Sequence, residues 1–419
     1  MIDIKSPAAK LIKGKLSQAV PARVALPWLL LMTLTPSWLA YCEGTVRILH
    51  WAIEAVIFPG SIAIKRIQND LIVFWPVSHL ILTHHAAQLY DPVWFSAWRT
   101  TNLATGISSY LQYPYPPPAL FVPLLIAPFN YQTAFLVWSF ILLVPGILLL
   151  KCGRVPWLVI ALGLVNAAGI YSIWVGQFGI LTGAMLITGL LLIAKYPTQS
   201  GLLMGGLIIK PQAGLLAPIV LLARGQYRII AVAGSTVLVL SAAITGLCGP
   251  AIWTTYFTLG LQQAHRILVA PFPTVYENSG VSVFWMMRSF GSSVATAGCV
   301  QLLSSTGAVA VCWSAWRRPQ TDQIALVALT AALTLLVTPY GYTDDMCGLE
   351  IMIGWLAIRH QRLEIADVLI WMWPALCQFV SISSHMELTP LILLLGAIRA
   401  WRRLDGIGTT APACYPVPL

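Results

Sequence analysis

The sequence predicts an all-α, polytopic integral membrane protein, and three observations carry that prediction. Its 419 residues are 58% hydrophobic and only 9% charged, with a mean hydropathy of +0.79, a balance that neither a soluble globular domain nor a disordered chain has. Apolar runs near the roughly 20 residues of a membrane span recur along the chain. The basic residues between those runs gather on one side, so the formal net charge of +10 marks topology and no nucleic-acid partner is expected. The expected architecture is a single membrane domain over residues 1–419 with about 10–13 membrane helices, short or broken ones included.

Taken in order, the expected spans are 24–41, 132–150, 156–174, 178–194, 229–247, 294–313, 323–338, 346–358, 365–382 and 386–401. Residues 1–20 carry lysines without the apolar core and small-residue cleavage site of a signal peptide, so the first span reads as an uncleaved anchor. With a cytoplasmic N-terminus, seventeen Lys and Arg residues from Lys5 to Arg403 share the inner side, and Arg47, Lys65, Arg66, Arg99, Arg266 and Arg288 remain outside. Asp70, Asp91, Glu277, Asp344 and Asp345 then also lie outside. The expected setting is a bacterial inner (plasma) membrane with a periplasmic site. Eight scattered cysteines without a CxxC pair read as small hydrophobes rather than zinc ligands or a disulfide framework.

Two outer loops are expected, 42–131 and 248–293. In the first, residues 48–64 carry His50, Glu54 and Pro59 and read as an interfacial helix, while residues 119–128 are too short to cross and read as a half-helix. The second mixes aromatic with polar groups. Residues 200–222 are interrupted at Gly205-Gly206 and Lys210-Pro211, which predicts either a broken re-entrant pair or a miscounted span. Lysine at membrane depth is costly unless it snorkels or meets an anion, so Lys210 is a candidate anion contact.

Irregular backbone inside a membrane protein is kept where it lines a cavity or stands outside, and this points to the stretch from Asp70 to Pro118. Asp70 precedes Leu71-Ile72-Val73-Phe74-Trp75 and is either a general base for a hydroxyl, a helix N-cap, or a partner of Lys65 or Arg66. His79, His84 and His85 follow without metal spacing; a phosphate or proton role competes with an ordinary interfacial one. Tyr90-Asp91-Pro92 closes that loop. Tyr113 and Tyr115, separated by prolines, offer a stiff platform for a sugar face or an isoprenoid, or simply the start of a helix. Gln177, after Gly176, offers an amide to a hydroxyl unless the pair is only a tight interhelical turn.

Tyr340-Gly341-Tyr342-Thr343-Asp344-Asp345 ends one span and begins another; its residues fit N-caps, with one carboxylate also placed to touch substrate. Arg288 is a candidate for a leaving phosphate or for lipid headgroups. There is no P-loop and no GxGxxG after a strand, so an enzyme working outside must use a donor already in the membrane. No cofactor is required by the sequence, and a divalent metal is left open.

Six segments in order resemble glycosyltransferase family 87, mannosyltransferase-like membrane proteins of the GT-C superfamily. They are Asp70-Leu71-Ile72-Val73-Phe74-Trp75, Leu89-Tyr90-Asp91, Tyr115-Pro116-Pro117-Pro118, Gly176-Gln177, Lys210-Pro211-Gln212 and Pro339-Tyr340 with Asp345. The resemblance implies a GT-C-like helical bundle. It further implies inverting transfer of a mannose-like hexose or a pentose from a polyprenyl-phosphate donor to a lipid or glycan acceptor at the outer face. It assigns the catalytic aspartate to Asp70 and places Gln212 and Tyr340 at the substrate, and it leaves Lys210, Arg288 or a histidine to neutralise the phosphate. Asp344 departs from the aromatic residue common before the late aspartate. A polyprenyl-lipid or glycolipid flippase is the competing expectation, weakened by the absence of internal repeats, and a noncatalytic assembly subunit is a third.

Overall fold

In the computed structural model, residues 20–21, 36–57, 70–103, 112–319, 321–360 and 362–405 are described. Helix dominates them, as expected for an all-α membrane protein; the extended elements are the two-residue pair Val20–Pro21 and Arg362–Leu363. Among the described residues four helices are long and apolar enough to cross a membrane: Thr133–Cys152, Tyr227–Cys248, Val294–Arg317 and Ile365–Ser384. Trp157–Val165 and Ala167–Val175 form a fifth candidate bent by 62°. Shorter apolar helices, among them Leu71–Leu82, Gly179–Leu192, Gln323–Val337 and Thr389–Trp401, fill the rest of the bundle.

The bend has a local cause. Asn166 takes an extended conformation, its side chain accepts the N–H of Ala168 at 2.8 Å to start the second helix, and its own amide donates to the Trp371 carbonyl at 3.0 Å. A polar residue inside an apolar run is thus fully used, and the expected span 156–174 becomes two helices that end at Gly176.

At the other end of the sequence expectation, the boundary set at residue 42 falls inside one helix, Pro36–Ile57. Glu43 and Arg47 are paired four residues apart, so charges that read as the end of an apolar run continue a helix instead. Tyr41 of this helix meets Tyr171 and Trp174 at ring distances of 5.3 and 5.6 Å. The rest of the first span, residues 24–35, lies outside the described residues, as do residues 58–64 of the expected interfacial helix. Residues 119–128 make a short 3-10 segment, Pro117–Leu120, and one helical turn, Phe121–Leu124.

The segment 200–222 is broken, as one of its two readings required. Helix Pro197–Gly206 passes through two 3-10 turns around Lys210 into helix Ala217–Ala223. Basic residues collect at one end of the bundle, where Arg359 pairs with Asp322 at 3.1 Å, Arg399 holds Asp367 at 2.8 Å, and Arg318 lies 4.1 Å over Trp401. Gln323–Val337 starts beside Asp322 at that end and delivers Thr338 and Tyr340 to the other. The fold therefore separates a basic end from an end where the irregular segments meet.

One close approach fixes that meeting. A Cβ on Gly179 would lie 2.0 Å from the Asp344 carbonyl oxygen, and one on Gly183 would lie 3.0 Å from the Gly348 nitrogen, so the helix Gly179–Leu192 touches the 344–348 backbone directly along a small-residue face. Gly179→Ala is expected to destabilise the protein by about 1–3 kcal/mol, the usual effect of overpacking. Gly234→Ala, with nothing within 4 Å of the new methyl, is the matched control in thermal unfolding in detergent.

Candidate active site

Asp70 enters the site through its backbone. Its N–H donates to the Val175 carbonyl at 2.9 Å, and its carbonyl accepts the N–H groups of Val73 and Phe74 at 2.9 and 3.2 Å. The backbone therefore starts helix Leu71–Leu82, while the side chain makes no cap hydrogen bond. That frees the carboxylate from the N-cap role expected of it. Lys65 and Arg66, its other expected partners, lie outside the described residues.

The carboxylate turns to Gln177. Helix Ala167–Val175 ends at Gly176, whose φ of 77° is the left-handed conformation that glycine adopts without strain. The Gly176 carbonyl accepts the indole N–H of Trp138 at 2.9 Å, and the Gln177 carbonyl accepts the Ser172 hydroxyl at 3.0 Å. With its backbone held on both sides, Gln177 donates Nε2–H to Asp70 Oδ2 and accepts the Tyr115 hydroxyl on Oε1 at 2.7 Å. A phenol can donate and a carboxylate can only accept, so the pair of partners fixes which way the amide faces.

Tyr115 is itself braced. Its carbonyl accepts the Tyr90 hydroxyl at 2.8 Å, and its ring lies 5.3 Å from Tyr113, 5.6 Å from Phe74 and 5.3 Å from Phe178. Tyr90 and Tyr113 are wholly buried behind it, so of the expected aromatic wall it is Tyr115, with Pro114 and Pro116, that faces the cavity. Tyr115→Phe keeps the ring and removes the donor. We expect kcat to fall about 5- to 30-fold with KM little changed, the scale of losing about 1–2 kcal/mol of positioning. The acid side of the pH profile should also move upward, which a purely structural tyrosine would not cause.

The opposite wall is an ion cluster. Lys210, 1% exposed, reaches Asp344 Oδ2 at 2.8 Å and Asp345 Oδ1 at 2.5 Å. The anion it meets is thus the protein's own, which leaves it committed rather than free for a phosphate. Asp345 also accepts the Tyr342 N–H at 3.1 Å, so it caps and pairs at once. Thr343 latches this turn to the segment that follows helix Val275–Asn278, both its N–H and its hydroxyl donating to the Ser279 carbonyl at 2.9 and 3.0 Å.

Between the walls is a cavity of about 830 Å³ lined on one side by Asp70, Tyr115 and Gln177 and on the other by Lys210, Gln212 and Asp344. Tyr340, Tyr342, Tyr276, Asn278, His265 and Gln378 add to the polar part, and Trp174, Leu261, Leu268 and Ile382 to the apolar walls. Burial pushes the Asp70 carboxyl up to about 6; the Gln177 hydrogen bond opposes this, Asp344 adds to it and Lys210 opposes it. Among the described residues no group of three His, Cys, Asp or Glu side chains is arranged to hold a metal ion.

Not every expected site residue arrives. His79 packs on Trp75 with ring centroids 3.9 Å apart, and its Nδ1 lies 3.2 Å from the Trp75 carbonyl oxygen. Arg288 donates to the Ser292 carbonyl at 2.8 Å. Neither lines the cavity, and Asp345 borders only a small neighbouring void. Tyr171, Trp174, His265, Tyr276, Asn278 and Gln378 were missed as site residues. Tyr171 and Gln378 carried a usable signal, being polar groups inside apolar helices.

A helical membrane protein with a buried, carboxylate-bearing cavity at one end is the class that fold and site define. A sequence model of glycosyltransferase family 87 matches residues 113–339, more than half of the chain. The protein belongs to glycosyltransferase family 87 and is a membrane glycosyltransferase by family. Comparison with curated proteins and with solved structures finds no match. The matched region holds Tyr115, Gln177 and Lys210; Asp70 and Asp344 lie outside it and join the site through the contacts above.

Proposed function

We propose that this protein transfers a glycosyl group from a polyprenyl-phosphate donor to the hydroxyl of a lipid or glycan acceptor, with inversion, at the periplasmic face of a bacterial inner membrane. The observation that carries the reading is Asp70: a carboxylate excused from helix capping, oriented by Gln177 and Tyr115, and facing a cavity large enough for a sugar and its acceptor.

The chemistry balances with one base. Asp70 accepts the proton of the acceptor hydroxyl, the acceptor oxygen forms a bond to the anomeric carbon, and the bond from that carbon to the phosphate oxygen breaks, with its electron pair leaving on polyprenyl phosphate. A single displacement inverts the anomeric centre. Asp344 is engaged by Lys210, so among the described residues the cavity offers no second free carboxylate in the role of a nucleophile, which favours inversion over a two-step route. Its negative charge, with that of Asp70, suits the positive charge developing on the sugar ring in the transition state. The apolar wall of Trp174, Leu261, Leu268 and Ile382 suits a prenyl chain, and the basic end opposite the site matches the side expected to be cytoplasmic. Hexose or pentose transfer fits this space equally.

The test is turnover. Purified protein is incubated with a panel of polyprenyl-phosphate sugars and lipid acceptors, wild type against Asp70→Asn. Product formation that depends on Asp70 supports the reading; turnover indifferent to that substitution removes the mechanism. Movement of labelled lipid between leaflets without donor consumption would make the protein a flippase instead.

A further inference from the structure

The cavity carries more negative than positive charge. Among the described residues its lining holds Asp70 and Asp344 against one cation, Lys210, and no arginine. Lys210 is also shared, lying 2.8 Å from Asp344 Oδ2 and 2.5 Å from Asp345 Oδ1 behind the wall. One ammonium therefore stands against three carboxylates. It holds a single oxygen of Asp344; the other, Oδ1, makes no hydrogen bond among the described residues, and the side chain lines the cavity. A second cation entering here would meet attraction, and an anion repulsion.

The turn that carries Asp344 is also aromatic. Tyr340 and Tyr342 cross edge to face with ring centroids 5.4 Å apart, Tyr276 lies 6.4 Å from Tyr342, and all three line the cavity. Their positions are fixed from behind: the Val281 N–H donates to the Gly341 carbonyl at 2.9 Å, and the wholly buried Trp285 backs Tyr342 and Tyr340 at 5.4 and 5.9 Å. The hydroxyls of Tyr340 and Tyr342 are buried with no partner but each other, which leaves oxygen lone pairs for a ligand that donates. A ring face attracts a cation and a carboxylate pairs with it, so rings beside a carboxylate tell an ammonium from a hydroxyl of similar size.

We propose that the cavity is built for an amino sugar, whose ammonium binds between Asp344 and the rings of Tyr276, Tyr340 and Tyr342. The inference rests on the glycosyl-transfer reading, whose substrate it narrows. A primary amine brings the positive charge that Lys210 alone does not supply, and its three N–H groups can reach Asp344 Oδ1 and the phenol oxygens together. It also acts on the base. Asp344 helps hold the Asp70 carboxyl in its protonated form, and an ammonium in the same cavity favours the ionised form that takes the acceptor proton. Acetylating the amine removes that charge, so the N-acetyl sugar should bind less well.

The experiment uses the full chain in phosphatidylcholine nanodiscs at pH 7 and reads binding by tryptophan fluorescence. Methyl glucoside is compared with its 2-, 3-, 4- and 6-amino-deoxy counterparts and with the N-acetyl form of each. At least one amine should bind about fivefold or more tighter than methyl glucoside and than its own N-acetyl form. Asp344→Asn, which leaves Lys210 paired with Asp345, should bring that ratio below about twofold, Tyr340→Leu should lower it in part, and Asp70→Asn should keep it. Preference for none of the amines, a preference that Asp344→Asn retains, or one that Asp70→Asn abolishes would each overturn the proposal. If Asp344→Asn melts far below wild type, Tyr340→Leu decides instead, and an unchanged ratio there overturns it. Where transfer occurs, the amine is placed on the donor sugar in one arm and on the acceptor sugar in the other; the arm it accelerates names its carrier, and acceleration of neither counts against the proposal. Binding is read without donor or turnover, so amine preference without transfer removes the glycosyl-transfer reading and keeps the ammonium subsite, while transfer of plain sugars without amine preference does the reverse.

Discussion

Asp70→Asn should lower kcat/KM for sugar transfer by about 10²- to 10⁴-fold, the range that a positioned general base supplies. Asparagine keeps the size and the hydrogen bond with Gln177, so donor binding and the melting temperature should change little. The wild-type pH profile is the finer check. Only the ionised carboxylate can take a proton, and the Asp70 carboxyl is raised to about 6, so activity should rise with pH through that value and level off above it. Two substitutions should move that limb in opposite directions. Gln177→Leu removes a hydrogen bond that favours the ionised form, and the limb moves to higher pH. Asp344→Asn removes a like charge and leaves Lys210 less neutralised, and the limb moves lower. A profile flat from pH 5 to 8, or shifts of the same sign in both variants, would show that another group is the base.

The sequence made the ingredients of this site legible, but not their pairing. Asp70 and Lys210 were singled out from cost, since polar groups and irregular backbone in an apolar chain need a reason, and Gln177 and Asp344 from polar side chains at turns between expected spans. What joins them is contact across 107 residues between Asp70 and Gln177 and across 134 between Lys210 and Asp344, and no local pattern encodes that. Lys210 was suspected of meeting an anion, and it meets two carboxylates of the protein itself. That the anion is a neighbouring turn follows only from the approach of Gly179 to the Asp344 carbonyl, which brings the helix Gly179–Leu192 against that turn.

Tyr113 and Tyr115, two residues apart and read together as one platform, part company in the fold. One is sealed behind the wall and the other forms it, because Tyr90 braces the Tyr115 backbone and Gln177 engages its hydroxyl. The fold itself was more legible. Span positions from 132 onward agree with helices to within a few residues, since composition over a long window decides them. The expected boundary at residue 42 falls inside the helix Pro36–Ile57, in which Glu43 and Arg47 are paired.

Lys210→Met should have the largest effect on stability, about 3–5 kcal/mol, because breaking a buried ion pair leaves uncompensated charge behind. Here two carboxylates would be left, at 3% exposure for Asp344 and 6% for the Asp345 side chain. Burial already raises the Asp345 carboxyl to about 6 with the ammonium in place, and losing the ammonium, which opposes that rise, takes it further above the roughly 3.9 of an unfolded aspartate. The folded variant then binds more protons than its unfolded chain, so its stability is greatest at low pH and is lost as pH rises through the folded values. Melting temperatures in detergent at pH 5 and pH 8 should therefore diverge for Lys210→Met far more than for wild type. Adding Asp345→Asn to Lys210→Met removes one orphaned charge while retaining a hydrogen-bonding side chain at the Tyr342 turn, and should recover part of the loss. The double-mutant cycle should return a coupling within about 0.5–3 kcal/mol. If Lys210→Met melts like wild type at pH 8, or if Asp345→Asn rescues nothing, the turn that carries Asp344 is held by the Gly179 contact and the Thr343 latch alone. Lys210 would then be spare to act on substrate.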